Sequence, residues 1–429
     1  MTYAETLNYL FTAMPSFQNI GGDGYKPGLE RIESFCTKLG NPHHKFHVIH
    51  IAGTNGKGSL SHILASVMQH AGYRTALFTS PHLRDFRERI KVNGTMISEQ
   101  KVIEFVERYR ADMEALQLSF FEMTAAMAFD YFAHEGVDVA IIETGLGGRL
   151  DATNIVSPLL SVITNIGVDH TKFLGTTLPQ IAAEKGGIIK ANTPVVLGEK
   201  GSEYSSVIAD IAASRASQLI FAQDEMEVVS QHPSQCGQHF EVRDIKSNDT
   251  FAIELDMAGI YQAKNIVTAL TAIKIINEKL LLNVPVEAIQ KGASTATKTT
   301  SLLGRWQTIS HSPRVICDTG HNAHGLKYVM EQLRATPHNR LIMVLGFAND
   351  KNLKEILPLF NLGANFIFTR PKVERAFACE EVERVARQLG YDCESVEDVA
   401  EALCKAKSMA GEGDLIFVGG SNFVVAEVI

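Results

Sequence analysis

Hydrophobic and polar positions alternate along this chain in two rhythms. Apolar runs bounded by glycine or polar residues predict strands at Phe46–Ala52, Arg74–Thr79, Val137–Glu143 and Leu159–Asn165. Around them, apolar residues three and four apart predict helices at Tyr3–Phe11, Leu29–Leu39, Leu60–Gly72, Ser98–Leu116, Phe120–His134, Pro179–Lys190 and Ala263–Glu278. Val137–Glu143 is almost wholly apolar, the mark of a central strand buried on both faces. Val195–Leu255 reads as short strands around one helix, Glu203–Ala216, at the edge of the same domain. Lys291–Ser301, rich in Ser, Thr, Ala and Lys, reads as a linker. Beyond it the alternation restarts, with strands at Arg314–Asp318, Arg340–Gly346, Asn365–Thr369 and Asp414–Gly419 and helices at Leu326–Leu333, Leu353–Phe360, Glu380–Leu389 and Val399–Ala406. Right-handed crossovers make both sheets mainly parallel, so the class is α/β, with domains at 1–297 and 298–429.

Composition narrows the setting. At 429 residues the chain is long enough for two cores, and 45% hydrophobic with 21% charged residues is the balance of an ordinary soluble protein. A net charge of −8, spread along the chain, argues against nucleic acid as a partner. No apolar run reaches membrane-span length, and the N-terminus, with Glu5 and Asn8, lacks the basic lead-in of a signal peptide, so a cytoplasmic protein without a membrane partner is expected. The six cysteines show no C-x-x-C spacing and read as idle thiols. A monomer is expected, since no coiled-coil pattern is present.

The chemistry gathers where strands end. His50-Ile51-Ala52-Gly53-Thr54-Asn55-Gly56-Lys57-Gly58-Ser59 is strand, glycine loop and helix start. Such a loop lets backbone N–H groups approach a phosphate, the helix end adds partial positive charge, and Lys57 neutralises the outer phosphates. It departs from G-x-x-x-x-G-K-[ST]: Gly53 lies three residues before Gly56, and Gly58 separates Lys57 from Ser59. The plain alternative is a flexible βα turn. Ser80 follows the second strand, where open α/β sheets place ligand groups, although a lone serine also serves as a cap. Glu143 closes the buried strand and is followed by Thr144-Gly145-Leu146-Gly147-Gly148-Arg149; a carboxylate there is suited to Mg²⁺. Taken alone, His170 reads as a satisfied polar side chain and Lys185 as a surface charge. The Gly21-Gly22-Asp23-Gly24 loop reads as surface packing, and Asp318, His321, Asn322, Asp350, Lys351 and Ser421 are polar groups at strand ends of the second domain. The expected architecture is a P-loop nucleotide-binding domain plus a smaller Rossmann-like C-terminal domain, with a cleft in which the second completes the site.

These residues carry a resemblance. His50 to Ser59, Thr79-Ser80-Pro81-His82-Leu83 with Glu88-Arg89-Ile90, Glu143 to Asn154, Val168-Asp169-His170, Glu184-Lys185 with Gly187-Ile188-Ile189-Lys190, Gly304-Arg305-Trp306 and Asp318-Thr319-Gly320-His321-Asn322 stand in the order and spacing of folylpolyglutamate synthase/dihydrofolate synthase, a branch of the Mur ligase superfamily. The resemblance spans nearly the whole chain, with Glu143 to Asn154 its most specific block. It implies an ATP- and Mg²⁺-dependent amide ligase acting on dihydropteroate or a reduced folate, ATP and L-glutamate. By the same resemblance Asn55, Gly56, Lys57, Gly58 and Ser59 hold the ATP phosphates, and Ser80, Glu143 and His170 hold Mg²⁺. The resemblance also implies that Asn265, Arg305 and Asp318 contact ATP and that Lys185 matches the lysine that relatives carry as a carbamate. Phe121 and Asp151 match positions that line the pterin pocket in bifunctional relatives, Phe121 reading equally as a core aromatic, and His321 and Ser421 are candidate glutamate contacts. Arg87, Gly186, Thr319 and Ala323 depart from the usual residues of that family. Two other readings stand beside it: a UDP-muramoyl amino-acid ligase, whose extra N-terminal domain residues 1–45 leave no room for, and a nucleotide switch without ligase activity.

Overall fold

The computed structural model describes residues 1–13, 27–279, 281–349, 351–360 and 363–429. The Gly21–Gly24 loop and Asp350 lie outside these. The chain folds into two compact units, Met1–Asp256 with Gln262–Leu302, and Met257–Tyr261 with Leu303–Ile429.

The first unit is built on strands β1 (His47–Ala52), β2 (Thr75–Phe78), β3 (Ile90–Val92), β4 (Thr95–Met96), β5 (Val139–Glu143), β6 (Leu160–Ile163), β7 (Val195–Leu197) and β8 (Leu219–Phe221). They form one sheet in the order β4-β3-β2-β5-β1-β6-β7-β8. β2, β5, β1, β6, β7 and β8 are parallel, while β3 and β4 add an antiparallel hairpin. All five residues of β5 are buried, as its apolar run predicts. Register decides where the chemistry falls: Ile51 lies beside Glu143, Phe78 beside Ile142, and Ala52 beside Ile163. The carboxyl ends of β1, β2, β5 and β6 therefore emerge together, at the point where the chain changes its direction of winding about β1.

Two expectations change here. The predicted edge of short strands divides: β7 and β8 finish the large sheet, whereas β9 (Met226–Pro233), β10 (Gln238–Asp244) and β11 (Thr250–Leu255) form an antiparallel sheet of their own. The predicted linker is helical, covered by Val286–Ser294 and Ala296–Thr300. Its Gly292, Ala293 and Ala296 are buried, and a Cβ on Gly292 would stand 2.5 Å from Val67 Cα. The small residues that look like linker composition instead allow close helix packing. The first unit continues through Leu302.

The second unit holds β12 (Gln307–His311), β13 (Arg314–Cys317), β14 (Leu341–Leu345), β15 (Asn365–Phe368), β16 (Cys393–Ser395) and β17 (Leu415–Gly419), in the order β12-β13-β17-β14-β15-β16. Only β12 pairs antiparallel. Ile316, Met343, Phe366 and Phe417 pack in its core with Leu326, Val329 and Leu333 of helix Ala323–Ala335. Met257–Tyr261 joins this unit through specific bonds: Ile260 N–H donates to Gln332 Oε1 at 2.9 Å, and Gln332 Nε2 donates to the Ala258 carbonyl at 2.7 Å.

Candidate active site

The glycine loop turns directly into helix Lys57–His70, three residues earlier than the apolar pattern predicts. Gly56 caps it at φ +82°, a backbone region costly for a residue with a Cβ. A Cβ there would also stand 2.4 Å from Asn265 Oδ1, which places Asn265 against the loop. The first helical bond runs from Leu60 N–H to the Gly56 carbonyl at 2.9 Å, so the N–H groups of Lys57, Gly58 and Ser59 belong to the open helix end. Ser59 is buried, and its Oγ accepts from Gln262 Nε2 at 3.3 Å; Gln262 Oε1 in turn accepts from Asn265 Nδ2 at 2.6 Å.

Lys57 Nζ lies 4.0 Å from Glu143 Oε1, and the Ser80 N–H donates to Glu143 Oε2 at 3.3 Å. The sheet register thus brings the loop lysine, the strand-end acid and the second strand end into one cluster. Lys185, which composition reads as a surface charge, is buried and donates to the Gly53 carbonyl at 2.8 Å. Burial first, and then the neighbouring Lys57 charge, lowers its pKa to about 7 against the pull of Asp169 and Asp151. His170 opens helix Thr171–Leu174 at φ +49°; its N–H donates to Asp169 Oδ1 at 2.9 Å, and its ring Nε2 lies 3.9 Å from Asp169 Oδ2.

The Glu143–Asn154 block wraps onto helix Leu178–Gly186. Arg149 N–H donates to the Glu184 carbonyl at 2.7 Å, its guanidinium pairs with Glu184 Oε1 at 2.8 Å, and Asn154 Nδ2 donates to the Arg149 and Gly187 carbonyls at 3.1 and 3.0 Å. A Cβ on Gly187 would stand 2.4 Å from Arg149 Cα, with no flexible tip to yield. Gly187→Ala is therefore expected to cost roughly 2–3 kcal/mol, read as a lower denaturation midpoint of the full chain. The Phe121 ring lies against Gly145 and is half-buried, with Phe78 at a centroid distance of 5.8 Å. Asp151 is buried; its Oδ2 accepts from Leu146 N–H at 2.8 Å, and its Oδ1 from Thr153 N–H at 3.0 Å. Burial pushes its carboxyl up despite these bonds. Thr153 Oγ1 is also 2.8 Å from Nε2 of His50, whose pKa burial lowers to about 3, keeping that ring neutral.

In the second unit Asp318 directly follows β13 and is buried. Its Oδ2 accepts from Tyr261 OH at 2.6 Å and Trp306 N–H at 2.8 Å, and its Oδ1 from Gly320 N–H at 2.7 Å. Burial, and then Asp318, holds the Tyr261 phenol well above its ordinary pKa. Arg305 bonds to Thr319 Oγ1, and His321 Nδ1 lies 3.0 Å from the Thr319 carbonyl. Ser421 caps helix Asn422–Val428, its Oγ accepting from Val424 N–H at 3.2 Å. Arg305, Asp318 and His321 thus surround one strand end, with Ser421 just beyond neighbouring β17.

None of Gln262, Asn165 and Arg89 is marked as a site group by the sequence pattern alone. Asn165 Oδ1 accepts from Asn55 N–H at 2.9 Å, and its place just after an apolar strand was the available signal. Arg89 is buried, its Nε donating to His82 Nδ1 at 2.7 Å and its guanidinium 5.3 Å from the Phe120 ring.

The donor set suits a divalent cation that shares its ligands with phosphate oxygens. Among the described residues no group of three or more His, Cys, Asp or Glu side chains forms an all-protein cage. Mg²⁺ usually keeps waters and takes phosphate oxygens beside one or two carboxylates, which suits Glu143 beside the loop.

A model of the Mur ligase middle domain matches residues 51–273, and one of the Mur ligase glutamate ligase domain matches 304–422. The dihydrofolate synthase/folylpolyglutamate synthase of Bacillus subtilis is 31% identical, the match covering 94% of this chain and 95% of that protein. The structure of E. coli FolC in complex with DHPP and ADP is 31% identical with a TM-score of 0.84, covering 100% of this chain and 97% of its own. The bifunctional folylpolyglutamate synthase/dihydrofolate synthase of Yersinia pestis, complexed with AMPPNP and Mn ion, is 28% identical with a TM-score of 0.83, covering 100% and 97%.

Proposed function

This chain belongs to the Mur ligase family, in its folylpolyglutamate synthase/dihydrofolate synthase branch, and from that premise we propose how its residues carry the reaction. It is an ATP-dependent ligase that adds L-glutamate to dihydropteroate, to a reduced folate or to both. The observation that carries the residue assignment is the 4.0 Å approach of Lys57 to Glu143 across neighbouring strand ends.

The acceptor carboxylate attacks the γ-phosphorus of ATP, ADP leaves, and an acyl phosphate forms. The amine of L-glutamate then attacks the acyl carbon, and inorganic phosphate leaves with the C–O electron pair as the amine loses a proton. A carboxylate is a poor electrophile until one oxygen becomes a leaving group, and the transfer itself asks mainly for alignment and charge neutralisation. The open helix end and Lys57 meet the phosphates. Glu143, Ser80 and His170 would hold Mg²⁺, which when bound spreads the charge of the β- and γ-oxygens. Lys185, with its depressed pKa, is suited to react with CO₂ and become a carbamate, exchanging a buried cation for an anion beside Lys57. Phe121 offers a ring face and Asp151 a carboxylate to the pterin. In the second unit Arg305 and Asp318 are assigned to ATP, and His321 and Ser421 to glutamate. The protein is read as a cytoplasmic monomer acting on small molecules rather than nucleic acid; among the described residues no helix is long and apolar enough to cross a membrane.

ADP release tests the reading. It is expected to require an acceptor and L-glutamate together; release with either alone at the full rate would overturn it. The masses of products from dihydropteroate and tetrahydrofolate, compared side by side, assign the acceptor.

A further inference from the structure

We propose that Asn165 and Glu199 are a positioning pair that fixes the backbone of the phosphate loop. The proposal rests on the reading of Gly53–Ser59 as the ATP loop. Asn55 N–H donates to Asn165 Oδ1 at 2.9 Å, so this N–H holds the loop and the groups that follow it are those presented to phosphate. A carboxamide has nearly the same shape when turned over, and the turned form would set its NH₂ against the Asn55 N–H, donor against donor. Glu199 forbids that form. Its Oε1 accepts from Asn165 Nδ2 at 2.8 Å, and an ionised carboxylate can only accept.

The pair is anchored on both sides. The other Glu199 oxygen bonds Lys264, one residue before Asn265 and so on the helix that meets Gly56. The Glu199 carbonyl accepts from Tyr204 OH at 3.0 Å, and its side chain is 15% exposed. The Asn165 backbone grips the loop as well, its carbonyl accepting from Thr54 N–H at 3.1 Å, while Thr164 Oγ1 donates to the Asn55 carbonyl at 2.6 Å. One carboxylate thus orients the amide that holds Asn55 and ties down the helix that abuts Gly56.

Reversal of donor and acceptor tests this in the full chain. Asn165→Asp sets two carboxylates face to face and is expected to raise the Kd for Mg-AMPPNP and the KM for ATP at least tenfold, with the KM for L-glutamate changed less than twofold. Adding Glu199→Gln supplies an NH₂ donor to the introduced carboxylate, and the double variant is expected to return to within about threefold of the parent. Glu199→Ala, the variant to use should Asn165→Asp not fold, is expected to raise the ATP KM severalfold with a thermal midpoint close to the parent's. Unchanged nucleotide affinity in Asn165→Asp or in folded Glu199→Ala would overturn the proposal, as would a double variant no better than Asn165→Asp. A parent protein that binds no nucleotide would instead overturn the reading of the loop.

Discussion

Lys57→Ala is expected to lower the rate of ADP formation about 10³-fold, equivalent to roughly 4 kcal/mol of lost transition-state stabilisation. The magnitude follows from where the ammonium stands. It lies at an open helix end and 4.0 Å from a buried carboxylate, a place where water screens little of its charge. The same change should leave folding nearly intact, since among the described residues the Lys57 ammonium makes a 3.4 Å bond to the Thr54 carbonyl and a long approach to Glu143. The measurement is steady-state ADP release beside a thermal melt. Near-parental turnover would remove this site from the chemistry, whereas a large fall in the melting midpoint would make the loss one of folding.

Lys185→Ala is expected to lower turnover about 10²–10³-fold, the range for removing one preorganised charged group, and a short carboxylic acid such as acetate is expected to restore part of it. Lys185→Met, which keeps most of the volume, should be as slow and resist rescue because its side chain fills the space. The modification joins the neutral amine to CO₂ with loss of one proton. Because burial and the Lys57 charge lower the pKa from 10.5 to about 7, far more of the side chain carries the neutral amine near neutral pH than in an ordinary lysine, and that fraction falls as pH drops. At fixed dissolved ¹³CO₂, a carbamate resonance is therefore expected to grow from pH 6 to pH 8. A fully active Lys185→Ala, or no resonance at any pH, would make this an ordinary buried lysine.

The parts of the site that were legible in the sequence are those carried by local pattern. Gly53 to Ser59 follows a strand and opens a helix, and Glu143 ends an unbroken apolar run; both statements need only the periods of strand and helix. The β3–β4 hairpin was missed because strands of three and two residues are too short to establish a period. Lys291–Ser301 was misread because small polar residues serve both linkers and tight helix contacts, and only the neighbour, here Val67, distinguishes the two. The burial of Lys185 and the grip of Asn165 on Asn55 depend on residues more than a hundred positions away. Ser421 and Asp318 show the reverse: residues predicted to meet ligands also cap a helix and gather their own unit's N–H and O–H groups.

The assignment of Met257–Tyr261 to the second unit bears on how the protein is made. A ribosome delivers these five residues before the sheet that receives them exists, so Tyr261 and Ile260 wait while the remainder of the first unit, through Leu302, is synthesised. A gene fragment beginning at Leu303 would encode the second sheet without the phenol that bonds Asp318 and without the carbonyl that holds Gln332. Such a fragment should express as a loosened protein, and supplying residues 257–261 as a separate peptide should tighten it.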